Sequence, residues 1–147
     1  VLLRIDVFVF RLKKMLEFVL LREKQKKIEV AAIQQRMVLL KQHKNFLEET
    51  NQQILEVMPQ RLKEGMQWVL YQNSKLDFNR KKVKEVIEQI SVEEERLYYF
   101  KEELKKLSYK RKALESLKEK RFKEYTEQKN KKDQKILEEV WQQMKGT

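Results

Sequence analysis

Between residues 8 and 57 the chain contains neither proline nor glycine, and its apolar residues recur at spacings of three and four. Leu12, Leu16, Val19, Val30, Ile33, Met37, Leu40, Leu47, Ile54 and Met58 share one heptad register, with Glu23, Lys26, Lys44 and Asn51 filling its remaining positions. Ten of those fourteen positions are apolar, which is the pattern of a coiled-coil seam. A helix over this stretch is about 75 Å long. It cannot enclose a core of its own, so it requires a partner helix. The four polar seam positions require partners as well, or a path for their heads to reach water.

Pro59 removes a backbone donor and pushes Met58 away from helical angles, so the first helix, over about 8–57, ends near Val57. Gly65 and the Asn73-Ser74 pair are two further weak points. Leu62, Met66 and Val69 keep a helical spacing between them, which predicts a short connector helix over 60–72 and a second break at 73–76. A connector continuous with the following helix is the alternative. From Asp77 no proline or glycine occurs before Gly146, which predicts a second helix over 77–143, about 100 Å long. Its seam reads Val83, Ile87, Ile90, Glu94 and Leu97, changes frame around Tyr98-Tyr99-Phe100, and resumes at Leu104, Leu107, Arg111 and Leu114. The expected fold is all-α: a long antiparallel two-helix coiled coil, a helical hairpin with a short connector helix, forming one domain over 1–147. The surplus of the second helix then projects as a basic, weakly amphipathic extension.

Composition narrows the chemistry. The chain has no cysteine and a single histidine, His43, which removes disulfides, cysteine-containing zinc sites and the usual triads. His43 flanks the seam and reads as a packing residue. With only Gly65 and Gly146 there is no glycine-rich phosphate loop, and no other catalytic, metal or cofactor motif is present. The carboxylates of Glu102 and Glu119 fall four residues before Lys106 and Lys123, the spacing of ordinary surface pairs on a helix. Neither enzymatic activity nor a cofactor is expected. Val1-Leu2-Leu3 is followed at once by Arg4 and Asp6, and no uncharged run approaches the length of a bilayer-spanning helix, so no export signal or transmembrane segment is expected and a cytoplasmic location is the default.

Lys and Arg number 34 against 23 Asp and Glu, a net charge of +11. Residues 101–147 hold 15 basic and 9 acidic groups, so more than half the excess lies in the last third. Such a surface attracts acidic partners of any kind. For the segment containing Lys118, Arg121 and Lys123, the readings are a solvated helix face, docking to an acidic protein surface, or nucleic-acid binding. The last is disfavoured because glutamates interrupt the cations and aromatics are not interleaved with them. Trp68, Tyr71 and Phe78, with Phe46 on the first helix, form either a small core closing the hairpin tip or an exposed docking patch.

Two stretches carry a family resemblance. Residues Arg111-Lys112-Ala113-Leu114-Glu115-Ser116-Leu117-Lys118-Glu119-Lys120-Arg121-Phe122-Lys123-Glu124-Tyr125, continuing to Gln128, Lys132-Asp133-Gln134 and Glu138-Glu139, resemble the end of the flagellar export protein FliJ family. The opening Phe8-Val9-Phe10-Arg11-Leu12-Lys13-Lys14-Met15-Leu16-Glu17, with Arg22-Glu23-Lys24 after it, resembles that family's Phe-x-Phe-x-Leu-x-x-Leu-Leu element and the charged run beyond. The match spans the chain, but only its two ends are specific. The resemblance implies a non-enzymatic, stalk-like component of the flagellar type III export apparatus, peripherally associated with the inner-membrane export machinery. Its implied partners are the export ATPase hexamer, the cytoplasmic domain of the export-gate protein and export chaperones. It implies that Phe10, Leu12, Leu16, Leu114, Leu117, Lys118, Arg121, Lys123 and Tyr125 face the ATPase ring. Trp68 and Tyr71 match a Trp-x-x-Tyr element near the gate-binding patch of some members, which would make Phe46, Trp68, Tyr71 and Phe78 the gate or chaperone contact. Where those members carry an aromatic three residues after the tyrosine, this chain has Ser74. Injectisome stalk proteins share the architecture. The rival readings are a basic coiled coil that binds nucleic acid and a structural spacer.

Overall fold

The computed structural model describes residues 8–146. It is an all-α helical hairpin: helix α1 (Lys13–Val57), a seven-residue 3-10 helix (Met58–Glu64) and helix α2 (Met66–Lys145), with the two long helices packed on each other. The expectations for residues 1–7 lie outside the described residues. Among the described residues no helix is long and apolar enough to cross a membrane.

The turn is made by two residues for different reasons. Pro59 sits in the first turn of the 3-10 helix, where its missing N–H costs nothing, and Arg61 leaves helical geometry at φ −119°, ψ 22°. Gly65 ends the segment at φ 105°, a region that L side chains rarely adopt. A Cβ there would meet nothing within 4 Å, so the demand is conformational and not steric.

Past Gly65 the helix is uninterrupted. The expected connector helix over 60–72 and the break at 73–76 are therefore corrected: α2 begins at Met66 and runs straight through Asn73-Ser74. Asn and Ser each cost only about 0.5 kcal/mol against alanine in a helix. Burial of Leu76 and Asn79 one turn later outweighs that. The first helix also begins later than expected. Residues 8–10 are non-helical and Arg11-Leu12 form a turn, with the Lys13 N–H donating to the Phe10 carbonyl.

The chain divides into two compact units. The first spans Gln25–Leu104. Its polar links join Asn51 to Asn79, Arg36 to Glu93 and Lys26 to Glu103, so the α2 number rises as the α1 number falls and the pairing is antiparallel. Val30, Ile33, Met37 and Leu47 are buried on α1, as their spacing requires. On α2 the inward positions are Leu76, Asn79, Val83, Val86, Ile90, Glu93, Leu97, Phe100 and Leu104, an unbroken alternation of three and four. The expected seam through Ile87 and Glu94, with a frame change at Tyr98-Tyr99-Phe100, is thus corrected. Val86 is buried while Ile87 is half exposed, and Tyr98 and Tyr99 face outward.

Polar seam positions in this unit have partners, although Glu93 Oε2, with Arg36 at 4.0 Å, accepts no hydrogen bond among the described residues. The Asn79 amide donates to the Asn51 side-chain oxygen at 2.9 Å, and the Asn51 amide reaches the Leu76 carbonyl at 3.5 Å. Lys26 Nζ lies 2.6 Å from Glu103 and 4.3 Å from the centre of the Phe100 ring. The hydrogen bond to Glu103 raises the Lys26 pKa above its ordinary value, and the same carboxylate raises that of the Tyr99 hydroxyl. Both shifts have one sign: the folded chain holds its protons more tightly than the unfolded one. Their stabilisation is complete below the ordinary pKa values of 10.0 and 10.5 and is lost as pH rises through the raised ones. Urea midpoints should therefore hold up to about pH 10 and fall as pH rises beyond it, and fall less steeply in a Lys26→Gln, Tyr99→Phe variant.

The other unit holds the chain up to Lys24 and from Lys105 onward. Phe10, Leu16 and Val19 are buried there, and Leu107, Leu114 and Leu117 are half-buried. Glu23, with 4% of its surface exposed, is the buried charge, and Arg111 answers it with an Nε–H···Oε2 bond of 2.5 Å. From Asn130 to Gly146 every position of this unit is exposed.

Candidate functional site

The residues expected to face an ATPase ring all belong to the unit containing both chain ends. Because the chain leaves the helical path before Lys13, Phe8 can turn its ring against α2. It packs edge-on to Phe122 at 5.2 Å between centroids and lies 5.7 Å from Tyr125. Next to this cluster, Phe10 and Leu12 line a cavity of about 340 Å³ together with Val9, Arg11, Leu117 and Arg121. Four of the expected residues, Phe10, Leu12, Leu117 and Arg121, are thereby brought to one place. Tyr125 joins them through Phe8.

The remaining members divide by exposure. Leu16 is buried and Leu114 half-buried, so both support the seam and present little surface to a partner. Lys118, Arg121 and Lys123 are exposed. Arg111, one turn before Leu114, is tied to Glu23 and Glu115, and its bond to Glu23 raises its pKa. Phe8 and Phe122 lie in the two stretches that carry the resemblance but are not among the expected contact residues. The signal for Phe8 is the non-helical stretch before Lys13, which frees its ring from the helical register of the seam.

The expected gate or chaperone residues belong to the other unit. Trp68 is half-buried in a groove that also contains Thr50, Ile54, Val57 and Gln72, and the Arg61 guanidinium lies 5.3 Å from the centre of its ring. Arg61 is in turn held by Glu64 at 2.8 Å. Phe46, Tyr71 and Phe78 are 64%, 62% and 60% exposed, and no ring pair joins them to Trp68 or to one another. Lys75 and Lys82 approach the Tyr71 and Phe78 rings at 6.0 Å. The two readings of this patch therefore apply to different residues: Trp68 packs at the turn, and the other three rings face solvent.

Other chemistry is sparse. His43 is exposed. Among the described residues no cluster of His, Cys, Asp and Glu has the geometry to hold a metal ion. What the two patches offer is binding surface: apolar side chains set among exposed cations at the chain ends, and aromatic rings beside the turn. No family model, curated protein or solved structure matches the chain.

Proposed function

We propose that the chain is a FliJ-like, non-enzymatic component of the flagellar type III export apparatus, a central-stalk-like rod that binds the export ATPase ring. The observation that carries the reading is the meeting of the two stretches that bear the resemblance. Phe10 and Leu12 from the opening element share one cavity with Leu117 and Arg121 from the closing element. Residues more than a hundred positions apart form one surface, edged by Lys118, Arg121 and Lys123. In this reading the ATP chemistry belongs to the ring. The chain contributes binding energy that differs between ring states, which is the only way a bound protein can shift them. The exposed rings of Phe46, Tyr71 and Phe78 then serve the cytoplasmic domain of the export gate or export chaperones, at a location in the cytoplasm against the inner membrane.

The test is turnover of the purified cognate export ATPase titrated with this chain. The wild-type chain should raise turnover, and the triple variant Lys118→Glu, Arg121→Glu, Lys123→Glu should lose most of that stimulation and the salt sensitivity of binding. Equal stimulation by both proteins would refute the assignment of these cations. No stimulation or binding by the wild type would refute the reading itself.

A further inference from the structure

Helix α1 carries a second heptad stripe that nothing in the chain covers. Within the unit Gln25–Leu104, the residues two positions after the seam residues from Glu23 to Lys44 are Gln25, Ile28, Ala32, Gln35, Leu39, Gln42 and Phe46. They repeat at three and four, and lie about 200° round the helix from the seam that faces α2. All are exposed, with Ile28 at 61%, Leu39 at 55% and Phe46 at 64%. None of these seven is charged, in a chain whose residues are 39% charged, and the stripe meets its first charges beyond Phe46, at Glu49 and Glu56. A solvated helix face in such a chain should carry lysines and glutamates at some of these positions. This one is patterned like a seam.

We infer that this face binds the same face of a second copy of the chain, with the two α1 helices antiparallel. The stripe is its own complement when reversed. With Ala32 placed opposite Gln35 of the second copy, Ile28 meets Leu39, and Gln25 meets Gln42 with its amide hydrogen-bonding capacity matched. Both ends of the contact repeat this by symmetry, as an isologous two-fold interface requires. Charges flanking the stripe agree. In the same register Glu29 faces Arg36 of the second copy, and Arg36 faces Glu29. Within the chain Glu29 pairs with Lys26 at 3.2 Å and Arg36 lies 4.0 Å from Glu93, and at 47% and 50% exposure each can add a second partner. In a parallel pair Glu29 would face Lys24 and Arg36 would face Ala31, so the guanidinium would gain no carboxylate from the second copy. The polar glutamine layers lower affinity and select alignment. The pair is therefore a reversible dimer that leaves the α2-facing seam intact, and it shares only Phe46, at the end of the stripe, with the surface proposed for the export gate or chaperones.

The absence of native cysteine makes the alignment directly measurable. Ile28→Cys and Leu39→Cys variants should form disulfide-linked dimers when mixed under mild oxidation, and each alone should not. In the antiparallel register like residues sit about 16 Å apart along the axis, well beyond the roughly 7 Å limit for a disulfide. Gln34→Cys, exposed but off the stripe, sets the level due to random collision. Sedimentation equilibrium at rising loading should show the wild type moving from 18.1 kDa toward twice that mass. Leu39→Glu should lose the concentration dependence and keep its helical circular dichroism. Wild-type protein that stays at one mass throughout, mixed cross-linking no greater than the Gln34→Cys control, or efficient cross-linking of either variant with itself would each overturn the proposal.

Discussion

Replacing Ile33 by alanine should lower the free energy of unfolding by about 3 kcal/mol. Ile33 has no exposed surface and is the largest side chain so enclosed among the described residues. Truncation removes three methyl or methylene groups from the seam and leaves a cavity that two straight helices cannot collapse around. Transfer and cavity terms for such a change run from roughly 2 to 5 kcal/mol. Val38, on the same helix and 48% exposed, provides the contrast. Val38→Ala should change stability by no more than about 0.5 kcal/mol. Urea unfolding followed by circular dichroism checks both, with the m-value expected to stay constant. An Ile33→Ala protein as stable as Val38→Ala would mean that the α1 seam does not face α2.

Charge reversal at the Glu23–Arg111 link should be the most damaging change in the unit that joins the chain ends. Glu23→Arg sets two guanidiniums at a position where the native carboxylate is nearly enclosed, and Arg111→Glu sets two carboxylates there. Removing one member of a buried pair strands the other away from water, and replacing it with a like charge adds repulsion. The double variant Glu23→Arg, Arg111→Glu restores attraction with the bond reversed. Its Tm should lie well above that of either single variant and below the wild type, because Arg111 also bonds Glu115 and the reversed glutamate would repel it. Thermal melts of the four proteins form a complete double-mutant cycle. Additive losses in the double variant would show that the two side chains do not interact.

Much of this hairpin was legible in its residues, for an identifiable reason. Leu16, Val19, Val30, Ile33, Met37 and Leu47 are the only apolar set on α1 that repeats with few interruptions from end to end of a helix lacking any breaker, and all are buried. Pro59 marked the end of α1 equally plainly. The second helix was harder to read. Val86 and Ile87 are adjacent and both apolar, so spacing alone could not choose between them, and taking Ile87 forced an apparent frame change further on. What decides the matter is Glu93, which is accepted at an inward position because Arg36 and Arg96 reach it. That information lies on other turns and on the other helix. Asn73-Ser74 resembled a break for a related reason: a weak local preference was weighed without the burial of Leu76 and Asn79 beyond it. At the candidate site Phe10, Leu12, Leu117 and Arg121 share one cavity, and the packing of Phe8 on Phe122 depends on a non-helical start that the spacing of α1 did not signal. The aromatic residues beside the turn were an open choice because ring exposure depends on which way each turn of α2 faces.

The polar links across the Gln25–Leu104 unit bear on which alignments the sequence permits. Leucines and valines spaced in heptads fit almost as well after a slip of seven residues, so apolar packing discriminates poorly among offset pairings. Sliding α2 by one heptad sets Lys26 opposite Arg96 in one direction and opposite Lys110 in the other, cation against cation in both. Asn79 would lose its amide counterpart to Met58 or Lys44. Greasy contacts make the two helices adhere; a handful of hydrophilic residues choose the one offset at which they come to rest.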